Sequence, residues 1–320
     1  MSSQRTEIAR REFLIRSGLA TIGTMAMASN VPASASVTES PNVSKDKNKL
    51  RVAACQILCY PDVIKSAQKV IDWLKIAAKD GVDVVSFPEA CLCGYPSDIN
   101  YWKTADPEAF KKGENMVILA AKELDIAVVF GTVHWQGTRL FNDLLMIDKG
   151  GKVLGRYSKI HLAESWPVSG DILPIYTLAG VKSCFIICHD VRYPELVRLP
   201  AIAGAQICYF CSHESSLVRE DKLSAYRAMP ISRAAENSVF LVMANSPYNP
   251  KTMEGSHGNS KIINPMGNVI DEAGYLEERL VTATIDISEA TRAMALRAVN
   301  DETLLKQWMI DGVKLVRVFE

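Results

Sequence analysis

A carboxylate, an ammonium and a thiol stand in three segments of this chain where a buried strand gives way to a turn. Together they have the makings of an acyl-transfer site. The first segment is Phe87-Pro88-Glu89-Ala90-Cys91-Leu92-Cys93-Gly94-Tyr95, in which Glu89 directly follows an apolar run. A carboxylate at a strand end sits where open α/β sheets gather ligands, and lost hydration there lifts its pKa towards that of a general base. The second is Gly155-Arg156-Tyr157-Ser158-Lys159-Ile160-His161-Leu162, with Lys159 closing an extended run. An ammonium kept charged by a nearby carboxylate is a fixed positive charge for a developing oxyanion. The third runs from Cys184 through Ile187, Cys188, His189 and Asp190 to Pro194-Glu195-Leu196, a buried strand turning into a helix. Backbone N–H groups at that junction, with Lys159, favour the thiolate of Cys188.

Each residue also has a plain structural reading. Glu89 can pair with a surface lysine, Lys159 can snorkel from a strand edge, and a cysteine in an apolar run is ordinarily core. Cys55, Cys184, Cys208 and Cys211 are read as core thiols; position alone raises Cys188 above the other seven cysteines.

The elements that must hold these residues follow from hydrophobic period. Residues 50–57 form an apolar strand, and Val63, Ala67, Val70, Ile71, Leu74 and Ala78 recur at helical spacing before Asp80-Gly81. Strand 82–87, helix 115–124 and strand 126–133 continue the alternation. Runs 140–148 and 152–157 flank Gly150-Gly151 as a hairpin. Further on come strand 181–187, helix 194–204, strand 205–210, helix 223–236, strand 238–244 and a hairpin about Met266-Gly267-Asn268. The last strand is 280–285 and the closing helix 288–299. One α/β domain with helices on both outer faces is the simplest architecture.

A formal charge of zero, from 36 basic and 36 acidic residues, gives no positive field for nucleic acid or an anionic membrane, so a small-molecule substrate fits. Residues 1–35 carry Arg10-Arg11-Glu12-Phe13-Leu14, a mildly apolar run and Ala33-Ser34-Ala35, the pattern of a twin-arginine signal peptide. Polar residues 36–49 read as a linker and 50–320 as the folded domain. The expectation is export to a bacterial periplasm by the twin-arginine machinery, with no membrane insertion of the mature chain. A protein folded before export keeps its thiols unpaired.

In this order the three segments resemble the nitrilase superfamily, the carbon–nitrogen hydrolases, in its amidase-like branch. The likeness extends from about Leu50 to about Leu296. It implies Glu89 as general base, Lys159 as oxyanion stabiliser, Cys188 as nucleophile, and Glu164, six residues before Gly170, as a supporting glutamate. It implies a four-layer α-β-β-α sandwich that forms homodimers. The implied reaction is cleavage of a small linear amide to acid and ammonia through a cysteine thioester, with no cofactor and no metal. N-carbamoyl compounds and nitriles are alternative substrates. His189 stands where an aromatic residue is frequent, and Pro200 interrupts the helix after the nucleophile and should kink it.

Two readings of another class compete. Cys208, Cys211 and His213 have the composition of a zinc ligand set, but in a strand residues three apart face opposite ways. A catalytically silent binding member of the same fold would be expected to lack at least one of Glu89, Lys159 and Cys188, all of which are present.

Overall fold

The apolar runs pair into two mixed sheets whose facing sides share one core. The computed structural model describes residues 48–214 and 220–319. The signal and most of the linker read at residues 1–47 lie outside the described residues.

The first sheet contains β1 (Lys49–Gln56), β2 (Val84–Ser86), β3 (Ala127–Gln136), β4 (Arg139–Asp148), β5 (Lys152–Ser158) and β14 (Arg279–Asp286), in the order β14-β1-β2-β3-β4-β5. β1, β2 and β3 run parallel, while β14, β4 and their neighbours pair antiparallel. β1 is apolar almost throughout because both its faces are covered. Val52 and Ala54 point into the core between the sheets, whereas Ala53 and Cys55 pack under helices.

Those helices are α1 (Val63–Lys79) and α3 (Pro107–Leu124), preceded by the short α2 (Ile99–Thr104). In α1, Val63, Ala67, Val70, Leu74 and Ala77 are buried at spacings of three and four, and the Asp62 carboxylate caps the first turn by accepting the Lys65 N–H. α3 starts earlier than its apolar stripe suggests, because the Asp106 cap and Pro107 nucleate a first turn that carries few apolar residues.

The second sheet is ordered β13-β12-β9-β8-β7-β6-β15. Its strands are β6 (Leu173–Leu178), β7 (Val181–Ile187), β8 (Ile207–Ser212), β9 (Phe240–Asn245), β12 (Lys261–Ile263), β13 (Val269–Glu272) and β15 (Val316–Phe319). A two-strand ribbon, β10 (Tyr248–Asn249) with β11 (Glu254–Gly255), lies between β9 and β12 in sequence. Helices α4 (Glu195–Ala203) and α5 (Glu220–Ala235) cover this sheet, with α6 (Ala293–Asn300) and α7 (Lys306–Val313) against α4. The layers are thus helix, sheet, sheet, helix, as the sequence resemblance implies.

Three expectations change. Strand 280–285 is β14 but not the last strand, since β15 adds parallel to the edge strand β6 after two further helices. β6 is a strand that the sequence reading does not include; it carries Pro174 in its first half and pairs antiparallel with β7 at Tyr176–Leu178, clear of the proline. α4 runs on past Pro200 to Ala203 and ends at Gly204. Pro200 is the sixth of its nine residues and leaves the Leu196 carbonyl without a helical partner, but it does not end the helix.

Candidate functional site

Parallel β2, β7 and β8 deliver their carboxyl ends to one region, and β5 ends there too. Glu89 lies just past β2, Lys159 just past β5, Cys188 just past β7, and His213-Glu214 just past β8. The chain at Glu89 crosses directly over Gly131 of β3. A Cβ at Gly131 would stand 2.2 Å from the Ala90 nitrogen and 2.3 Å from the Pro88 oxygen, so only glycine lets that crossing occur.

Glu89 and Lys159 are fully buried and 2.9 Å apart. One Glu89 oxygen accepts from Lys159 Nζ and, at 2.8 Å, from Asn142 Nδ2; the other accepts the His213 backbone N–H at 2.9 Å. Lys159 Nζ also reaches Glu164 at 2.5 Å. Tyr95 donates its hydroxyl to the same Glu164 oxygen. The Glu164 loop is itself pinned by aromatic stacking, Trp166 lying 3.8 Å from Trp102 of α2.

These contacts set the protonation states. Burial pushes Glu89 up to about 7, Glu164 adds to the rise, and Lys159 opposes it. Burial alone would lower Lys159, but Glu89, Cys188 and Glu164 outweigh it and hold the ammonium above the ordinary lysine range. Burial also works against Glu164, whose contacts with Lys159 and Tyr95 nevertheless keep it below its usual value. The Cys188 thiol is pushed well up, by burial first and by Glu89 second, with Lys159 too weak to reverse this. Burial thus works against the thiolate that Lys159 and the backbone N–H groups favour, and Glu89 is the nearby carboxylate whose pKa suits it to take the proton.

Cys188 adopts φ 44°, a left-handed conformation that a non-glycine residue keeps only when held. Asp190 does the holding. Its Oδ2 accepts the Ile187 N–H at 3.0 Å and the Tyr157 hydroxyl at 2.7 Å, and its Oδ1 accepts the His161 N–H at 2.8 Å. One carboxylate thus joins the Cys188 turn to the Lys159 loop. The sulfur lies 3.5 Å from Glu214 Oε2 and 4.0 Å from the Tyr226 hydroxyl on α5.

A cleft of about 450 Å³ opens beside this constellation, lined by Tyr60, Tyr95, His213, Tyr248, Met253 and Glu254 among others. Its inner wall is the stacked pair Tyr95 and His213, with ring centroids 4.8 Å apart. His213 is neutral, burial holding its pKa down at about 4.

All four sequence-predicted residues therefore meet in one place: Glu89, Lys159 and Glu164 in direct contact, and Cys188 within their electrostatic reach. Sequence reasoning missed Asn142, Asp190, Glu214 and Tyr226. Asn142-Asp143 had a signal, two polar residues inside an apolar strand; Glu214 and Tyr226 had none. The cysteines are all buried and free, and Cys208 and Cys211 lie within the core of the second sheet.

The sequence profile of the carbon–nitrogen hydrolases matches residues 51–294. A protein named "hydrolase in agr operon" from Staphylococcus lugdunensis is 32% identical over 64% of this chain and 88% of its own length. A 2-oxoglutaramate amidase from Bacillus subtilis is 30% identical over 69% of this chain and 84% of its own. Among solved structures, an amidase from Nesterenkonia superposes with a TM-score of 0.71 at 23% identity, over 81% of this chain and 97% of that one. The chain belongs to the carbon–nitrogen hydrolase family, enzymes that act on C–N bonds other than peptide bonds.

Proposed function

We propose that this carbon–nitrogen hydrolase cleaves a small linear amide to a carboxylic acid and ammonia, with Cys188 as nucleophile, Glu89 as general base, Lys159 as oxyanion stabiliser and Glu164 supporting Lys159. The observation that carries the reading is a fully buried carboxylate, held at about 7 and hydrogen-bonded on both oxygens, acting electrostatically on a protonated thiol. A base poised near neutrality can take that proton and give it back.

The cycle follows from these states. Glu89 accepts the Cys188 proton as sulfur adds to the amide carbon, and Lys159 holds the negative oxygen. The C–N bond breaks as protonated Glu89 passes its proton to the leaving nitrogen, which departs as ammonia. A thioester remains. Water, deprotonated by Glu89, attacks it; the C–S bond breaks, the acid leaves and Cys188 regains its proton. Related chemistry is on record in the Nesterenkonia amidase, a mutant of which carries the acetamide moiety of fluoroacetamide on its active-site cysteine, and another of which binds butyramide.

The test is ammonia release from a panel of amides, ureido acids and nitriles, with intact-mass detection of an acyl adduct. Amides should lead, and Cys188→Ala should abolish both signals. Release by Cys188→Ala at the wild-type rate would sink the mechanism, while exclusive cleavage of ureido acids or nitriles would reassign the substrate.

Residues 1–35, with Arg10-Arg11, support a reading as a twin-arginine signal, and hence a periplasmic enzyme. Arg10→Lys with Arg11→Lys should strand the protein in the cytoplasm. A homodimer is supported by apolar side chains left exposed near the carboxyl end, Leu304, Leu305, Trp308 and Leu315. Light scattering on the purified protein tests it, a monomeric mass counting against it. None of the helices among the described residues is long and apolar enough to cross a membrane.

A further inference from the structure

Asn142 is fully buried in the apolar strand β4, with half of its amide unused. Its Nδ2 donates to Glu89 Oε1 at 2.8 Å, while its Oδ1, equally buried, meets no donor among the described residues. An orphaned buried carbonyl is costly. Turning the amide over would not relieve the cost, because it would set Oδ1 against the Glu89 carboxylate, acceptor facing acceptor. The backbone fixes the residue in this place. Its carbonyl accepts the Lys159 N–H at 2.8 Å, and it stands opposite Val133 of β3. One residue thus holds the base through its side chain and the lysine through its main chain.

What the donor does there follows from the lone pairs of the carboxylate, about two on each oxygen. Glu89 Oε1 already takes two donors, Lys159 Nζ at 2.9 Å and Asn142 Nδ2, whereas Oε2 takes one, the His213 N–H at 2.9 Å. The oxygen left open to an incoming proton is Oε2.

We infer that Asn142 is a positioning residue: with Lys159 it fills Glu89 Oε1 and so directs the thiol proton of Cys188 to Oε2. The inference rests on the amidase reading for its cycle, in which the S–H proton passes to Oε2 and from there to the leaving nitrogen as the C–N bond breaks. Asn142 acts through Glu89.

A donor to a carboxylate favours the charged base, so losing this one should raise the Glu89 pKa further. The other titratable groups facing Glu89 leave that window clear. Lys159, Tyr95 and Cys211 are held above their ordinary ranges, and burial pushes Cys93 up to about 12. Cys188 is likewise raised, Glu164 lies below its usual value, and burial keeps His213 down at about 4.

Asn142→Leu keeps the volume and removes the donor. Ammonia release from the best amide of the panel, profiled from about pH 5 to 9, should show the acidic limb moved alkaline by about one unit, the worth of a hydrogen bond to a charged group. At about pH 9, above the limb, kcat should still be down by roughly tenfold with KM within about threefold, because a proton taken on the freed Oε1 is misplaced for transfer. Asn142→Ala, which cannot overfill the site, should move the limb the same way. The position of a limb is read from folded molecules only, so a loss of stability does not mimic it. The rate at which iodoacetamide alkylates Cys188, followed by peptide mass over the same pH range, reads the same base with no amide turned over. If no amide is cleaved, the amidase reading falls, while the alkylation limb still decides the role of Asn142. A limb that stays at the wild-type pH in both variants, or moves to lower pH, overturns the inference; a shifted limb with kcat unchanged above it overturns the assignment of Oε2.

Discussion

Two buried charge clusters share the first sheet, one on each of its faces. Asn142 and Asp143 are neighbours in β4, and Ser158 and Lys159 are neighbours at the end of β5, so alternate residues feed opposite sides. Facing the second sheet, Asn142 and Lys159 meet Glu89. Facing α3, Asp143 is met by Ser158 at 2.7 Å and by Arg156 at 3.6 Å, and the Arg156 fork grips both oxygens of Glu114 at 3.0 and 2.6 Å. The second cluster is as well connected as the first. It has no nucleophile beside it: its permanent cation is the Arg156 guanidinium, which keeps its proton at any working pH, and the His134 ring meets Asp143 Oδ2 from the partly exposed side. The first divides one lysine between two carboxylates and leaves Glu89 poised at about 7. A buried ion pair is therefore not in itself a sign of function. A proton that can move, next to a group that can use it, is.

The sharpest way to break this comparison is to remove the thiol. Cys188→Ala should stay folded and lose amidase turnover by about four or more orders of magnitude, as nucleophile deletions do. Ammonia release at assay-limit sensitivity checks it. Comparable turnover in the variant would mean that the first cluster is as structural as the second.

Glu89→Gln comes next. As a general base, Glu89 should be worth about two to four orders of magnitude in kcat, with the protein still folded under assay conditions. If Glu89 only balances Lys159, lost activity should instead track lost fold, since an uncompensated buried ammonium costs roughly 3–5 kcal/mol. Adding Lys159→Met separates the cases: removing both charges should recover Tm and leave turnover lost. Recovery of both together would falsify the catalytic assignment.

The control lies on the other face. Glu114→Gln leaves Arg156 with a neutral partner in a partly exposed setting, and should cost about 2 kcal/mol of stability, less than a wholly buried pair. A fall in Tm of roughly 5 °C, with kcat/KM within about threefold of wild type, is expected. A large loss of turnover at full stability would show that the two faces are coupled through β4.

The comparison also explains what the sequence made legible. Strands covered on both sides, such as β1 and β7, and helices with a clean stripe, such as α1, declare themselves by period; Glu89 and Cys188 sit just past such buried strands, and Lys159 just past the half-exposed edge strand β5. What stayed hidden depends on contacts between segments distant in sequence. The Asp190 clamp joins Ile187, Tyr157 and His161, the Glu89 contact is a backbone N–H of His213, and β15 becomes a strand only because the edge of β6 is there to pair with. A backbone donor has no residue type to read, and an edge strand of four residues has no period. Burial was equally out of reach: nothing in the motif around Cys188 says that the thiol would be pushed up rather than down.

The smallest effect is the most specific to the first cluster. A general base works only when deprotonated, and burial places Glu89 at about 7, so kcat/KM should fall as pH drops through that value, approaching tenfold per unit below it. The sign follows from the cause: burial favours the neutral acid, so more alkaline solution is needed to make the base than for an exposed glutamate. The thiol and the ammonium are both held higher, and leave this limb to Glu89. Glu164 offers a way to move it. Its negative charge adds to the rise in Glu89, and it competes for Lys159, so Glu164→Gln should lower the Glu89 pKa on both counts and shift the acidic limb to lower pH. Glu114→Gln, on the far face, should leave the limb where it is. A profile from pH 5 to 9 on wild type and both variants measures this. A limb that moves with Glu114 and not with Glu164 would place the titrating group in the wrong cluster.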